Sequence, residues 1–85
     1  MRAVKHYELA FYLPTTIYTP ASSQMLVACH TDDGPRLWVL EPIDEPCVER
    51  KVNLFRQGEP IPPDARYISS FNQNYMTVHA FEVTP

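Results

Sequence analysis

The 85-residue chain carries ten acidic against seven basic side chains, for a net charge of −3, and is 45% apolar and 12% aromatic. A chain of this length holds one domain, residues 1–85, with a thin stability margin unless a metal, a disulfide or a second subunit assists it. No three Lys or Arg are consecutive, which excludes the basic field that draws phosphate backbones, and the apolar run Leu9-Ala10-Phe11-Tyr12-Leu13 is too short for a signal core or a membrane span.

Nine prolines divide the chain, and an interior proline breaks a helix or a central strand, so the elements are expected between them. No interval spaces its apolar residues at three and four, and β-branched and aromatic residues crowd each one, which predicts strands. Seven are expected, over roughly 3–13, 15–19, 24–30, 36–41, 47–56, 66–71 and 75–83.

Between the third and fourth strands lies Asp32-Asp33-Gly34-Pro35. With Asp33-Gly34 at the centre of a tight turn, Pro35 would have to donate the closing hydrogen bond, and it has no N–H. A three-residue loop, Asp32-Asp33-Gly34, avoids this and predicts Thr31 facing Pro35, Ala28 facing Trp38 and Val27 facing Val39. Both faces of that ribbon are apolar, so both need cover, from a rolled sheet or from a second subunit. Asp44 and Glu45 occupy the next turn. The segment 57–65, which holds Glu59 and Asp64, is long for a hairpin and stiffened by Pro60, Pro62 and Pro63; it predicts either a docking loop or a crossover over the open end of a barrel. A second hairpin is expected around Asn72-Gln73-Asn74, with Phe71 facing Tyr75, Tyr67 facing His79, and Ile68 with Val78 in the core. The fold class is therefore all-β: one small domain, a strongly curved antiparallel meander or small barrel of about seven strands. In a meander, the 32–34 and 57–65 loops fall at one end, and the 42–46 and 72–74 loops at the other.

Leu37-Trp38-Val39-Leu40, Gly58-Glu59-Pro60-Ile61, Tyr67-Ile68-Ser69-Ser70-Phe71 and Val78-His79-Ala80-Phe81-Glu82, in that order and at those separations, resemble a family of short bacteriophage proteins over about residues 24–82. The resemblance implies a phage origin and a compact β fold and brings no catalytic residues with it. The chain departs from the family at Glu59, where relatives typically carry histidine, and in the turn before Trp38.

Little here supports chemistry. Asp32 and Asp33 beside His30 suit a turn, since Asp bonds nearby backbone amides, and the alternating oxygen ligands of a calcium loop are missing. His6, His30, His79, Cys29 and Cys47 lack the paired spacing of a zinc site, and the two thiols form no C-x-x-C. His79 could pass for a general base, but no triad partner stands near it in sequence. No cofactor is expected.

The expectation is a non-enzymatic binding protein of the infected bacterial cytoplasm. It would block a host protein, such as a CRISPR-Cas effector or another immune component, without contacting nucleic acid or membrane. Candidate partner-binding residues are the loop acids Asp32, Asp33, Asp44, Glu45, Glu59 and Asp64, suited to a basic surface, and the aromatic set Tyr67, Phe71, Tyr75 and His79. A virion or assembly component forming a homo-oligomer, a homodimer at its simplest, is the alternative. A small enzyme or ligand-sequestering protein comes third, because an anionic ligand wants basic residues and only Arg36, Arg50, Lys51, Arg56 and Arg66 offer themselves.

Overall fold

The computed structural model describes residues 1–84. Seven strands run in order: β1 (Arg2–Glu8), β2 (Thr15–Pro20), β3 (Gln24–Thr31), β4 (Gly34–Pro42), β5 (Cys47–Arg56), β6 (Arg66–Gln73) and β7 (Met76–Val83). Among the described residues no helix is long and apolar enough to cross a membrane. The all-β class and the strand count are as the sequence predicts. The arrangement is neither a plain meander nor a closed barrel: antiparallel sheets β1-β4-β3 and β2-β5-β7-β6 face each other. The 16 Å thin dimension of the molecule is that of two packed layers.

The core lies between the layers. Leu37, Val39, Val52 and Val78 are fully buried, with Leu9, Ile17, Ala28, Leu54 and Ala80 around them. Burying each of those large aliphatic side chains contributes roughly 1.5–3 kcal/mol. β4 alternates strictly, with Pro35, Leu37, Val39 and Glu41 inward and Arg36, Trp38 and Leu40 outward. Several polar groups inside the sandwich are paired, although Gln73 Oε1 is buried without a partner among the described residues. Arg50 grips Glu82 through Nε and Nη2, both at 2.6 Å, and donates to the Ser23 carbonyl at 2.9 Å. The buried hydroxyls of Thr19 and Ser23 bond each other at 2.8 Å. Glu41 accepts the Tyr7 hydroxyl, with Lys5 3.7 Å away.

Along one seam the layers nearly join. The Ser69 hydroxyl accepts from the Ala28 N–H at 2.7 Å and donates to the Ala28 carbonyl at 2.9 Å, so a side chain replaces a ladder rung between β3 and β6. Both strands are bulged here, between Met25 and Val27 and between Tyr67 and Ser69, which bends each edge towards the other. At the opposite seam, between β1 and β2, the Tyr7 hydroxyl lies 3.5 Å from the Tyr18 carbonyl, with its proton donated to Glu41.

Several expectations are corrected. The first strand ends at Glu8, well short of residue 13, because Pro35 accepts the Leu9 N–H at 3.0 Å but has no N–H to return, so pairing stops. The β3–β4 turn is two residues, Asp32-Asp33. Gly34, at φ 109, already pairs with Thr31, whose hydroxyl donates to the Gly34 carbonyl at 2.7 Å. The register therefore moves by one: Ala28 faces Leu37, and Val27 faces Trp38. The β6–β7 turn is Asn74-Tyr75, not 72–74, which pairs Phe71 with Val78, Ser70 with His79 and Tyr67 with Phe81. The segment 57–65 crosses neither a barrel mouth nor a hairpin. β5 and β6 run parallel on either side of β7, so it must travel the length of β7, tied down by Gln57 to His79 and by Asp64 to Thr84.

Candidate functional site

β3 and β6 run side by side in the same direction, so the turns that follow them, Asp32-Asp33 and Asn74-Tyr75, emerge at the same end of the sandwich. The 9–14 connection and the start of the 57–65 crossover also reach this end, since Leu9 meets Pro35 and Arg56 pairs with Val78. A single meander would put the acidic 32–34 loop and the asparagine turn at opposite ends. Two sheets, in place of one meander, bring them together.

This end is unusually apolar for a loop cluster. Tyr75 is fully exposed, Tyr12 is 83% exposed, and Leu13 and Met76 also face solvent. Asn74 and Tyr75 both have positive φ, 48° and 66°, the backbone pattern of a type I′ turn, whose right-handed twist suits a hairpin. Asn tolerates that region. A tyrosine does not, and the left-handed conformation costs a side chain about 1–2 kcal/mol relative to its ordinary states. Tyr75 therefore sits where glycine would be favoured, with its ring in water.

Between Tyr75, Met76, Thr77, Arg56, Gln57 and Glu59 lies an open depression of about 570 Å³. The Arg56 guanidinium rests 5.8 Å from the centre of the Tyr12 ring, within cation–π range. Glu59 is bound back onto the same strand end. It accepts the Arg56 N–H at 2.7 Å and the Arg56 Nε–H at 3.3 Å, while Gly58 makes the left-handed turn between them at φ 88. The Arg56 backbone N–H, then its guanidinium, hold the Glu59 carboxyl below the usual carboxylate range. Glu59 thus builds its loop.

The remaining predicted residues are scattered. Asp33 lies 3.3 Å from Arg36, and Asp32 is exposed beside it. Asp44, at φ 70, and Glu45, which accepts the Ser22 hydroxyl at 2.9 Å, sit at the far end, as does Asp64, which accepts the Thr84 hydroxyl at 2.5 Å. Tyr67 and His79 are on the outer face of the four-stranded sheet, where Tyr67 and Phe55 both meet Phe81 edge-on. Phe71 is not with them. The bulge after Tyr67 reverses the facing of the rest of β6 and turns Phe71 inward against the core.

His79 is bonded at both ring nitrogens: Nδ1 to the Ser70 hydroxyl at 2.7 Å, and Nε2 to Gln57 Oε1 at 2.9 Å. Because Gln57 Oε1 can only accept, Nε2–H donates to it, and in the neutral ring Ser70 donates to Nδ1. The Tyr67 hydroxyl, 2.8 Å from Ser70 Oγ, then donates to Ser70. This ordered chain pins the crossover to β7. Tyr12, Leu13 and Met76 are not among the residues the sequence singles out, and Arg56 figures there only as a possible anion ligand; the signal for the first two is that Phe11-Tyr12-Leu13 before Pro14 cannot all be buried.

Among the described residues no group of three His, Cys, Asp or Glu side chains converges as a metal site. Cys29 is half-buried and Cys47 exposed, both as free thiols. No curated protein matches the chain, and no solved structure matches it. One family does match, over residues 1–85, and the chain belongs to it: the domain of unknown function DUF7352.

Proposed function

We propose that the protein acts by binding another protein through the loop end that carries Tyr12, Leu13, Arg56, Tyr75 and Met76, and performs no chemistry of its own. The observation behind this reading is Tyr75: a fully exposed aromatic ring held on a backbone conformation that opposes it. Fold stability alone favours glycine there. Tyrosine, arginine and methionine are the residue types that dominate interface cores, and here they surround one depression. Asp32 and Asp33, at the same end, suit a partner whose rim is basic.

The resemblance to short bacteriophage proteins extends the reading to biology. The partner is a host protein of the infected bacterial cytoplasm, with an immune component such as a CRISPR-Cas effector the leading class. A virion role would instead make the partner another copy or a structural protein. Affinity capture from bacterial lysate tests the reading. Wild-type protein should retain a partner that the Tyr12→Ala, Tyr75→Gly double variant loses at least tenfold. Equal capture by the two proteins rules the loop end out.

A further inference from the structure

The two sheets treat their outer faces differently. The four-stranded sheet is crossed by the 57–65 segment, and Phe55 on its outer side is only 7% exposed. The three-stranded sheet keeps an apolar centre in water. Register places Val4 beside Leu40, and His6 and Val27 on either side of Trp38, while Val4, Leu26 and Val27 remain 57%, 38% and 43% exposed. The sequence shows a ribbon apolar on both faces, and this chain covers only one of them.

We propose that a second copy of the chain covers the other, packing β1-β4-β3 face to face across a two-fold axis. The surface is complementary to itself. Along β1 the outward residues run Arg2, Val4, His6, Glu8, a cation at one end, an anion at the other and the apolar strip between. With the two-fold axis lying between the faces and perpendicular to the strands, each strand lies over its own copy in the opposite direction, which sets Arg2 of each copy over Glu8 of the other and the Trp38 row over the Val4 and Leu40 row. Glu8 is free to take part: its 3.7 Å contact with Arg36 leaves the Glu8 side chain 79% exposed. Three strands at sheet spacing present on the order of 500 Å² per copy, about 1,000 Å² in all, below the size of permanent dimers. The association is accordingly reversible, of the kind small interfaces support. This proposal is independent of the loop-end reading, because the Tyr75 end stays open in the pair.

Sedimentation velocity over a concentration series, with fluorescence of the single tryptophan, Trp38, tests it. The average mass should rise towards two chains while Trp38 emission shifts to shorter wavelength. Val27→Glu should weaken association at least tenfold, with Tyr18→Glu, at an exposed position of β2 in the other sheet, as an inert control. Arg2→Glu alone and Glu8→Arg alone should each weaken it, and the two together should restore it at unchanged net charge. A monomer throughout the series overturns the proposal. So does a dimer that ignores Val27→Glu, and so does a charge exchange that restores nothing.

Discussion

Ser69 reaches across the seam to Ala28 and satisfies both of its backbone groups with one hydroxyl, N–H at 2.7 Å and carbonyl at 2.9 Å. Ala28 is fully buried, so neither group has water to fall back on. Ser69→Ala should therefore cost about 2 kcal/mol or more, beyond the usual value of one hydrogen bond, because it strands two buried partners. Urea unfolding measures it. A cost within about 0.5 kcal/mol, typical of a plain surface substitution, would show that the seam opens to solvent.

Tyr7 offers a pH test. Burial, then its bond to the Glu41 carboxylate and the charge of that group, push the Tyr7 phenol up to about 12. A phenol raised above its unfolded value of about 10 contributes its stability in full below that pH and loses it as pH climbs through about 12. Unfolding free energy should fall across that alkaline window. Tyr7→Phe should flatten that part of the fall while lowering stability at neutral pH by roughly 1.5–3 kcal/mol, since Glu41 loses its donor. Identical alkaline slopes in the two proteins would contradict the assignment.

Glu82→Gln probes the buried pair. Losing the carboxylate leaves the Arg50 guanidinium 15% exposed without its counter-charge, at a cost of roughly 2–4 kcal/mol by thermal or urea unfolding. The Arg50 guanidinium is held more firmly protonated than usual, first by its bond to Glu82, so it cannot escape by shedding its proton.

The strands were legible in the sequence where the side chains alone decide them. The β5 run Cys47–Arg56 is bounded by Pro46 and by the Gln57-Gly58 turn, and its predicted limits hold to the residue. What stayed hidden was set by backbone geometry or by distant pairing. Gly34 has the residue type of a loop, yet its left-handed conformation sits inside the ladder. Nothing in the residue types marks the bulge after Tyr67, and that one extra residue moves Phe71 from the exposed aromatic face to the core. A left-handed Tyr75 runs against turn preferences, which point to the asparagines before it. The partition into two sheets depends on β1 meeting β4 and β2 meeting β5, pairings with no local signature.

Charge reversal should separate the two ends. Asp32→Lys with Asp33→Lys lies at the Tyr75 end and should slow association with a basic-rimmed partner and change its salt dependence. Asp44→Lys with Glu45→Lys lies at the far end and should leave association rates unchanged. Surface plasmon resonance on the captured partner reads both, and the reverse ranking would move the binding surface to the other end.

Tyr75→Gly tests the central claim most directly, because fold and binding should move in opposite directions. Removing the side chain from a left-handed position should raise stability by about 1 kcal/mol and the melting temperature by a few degrees. The same change removes the ring proposed to anchor the partner, so affinity measured by titration calorimetry should fall at least tenfold. A more stable protein that binds less well is the predicted result; a more stable protein that binds as tightly as wild type would contradict it.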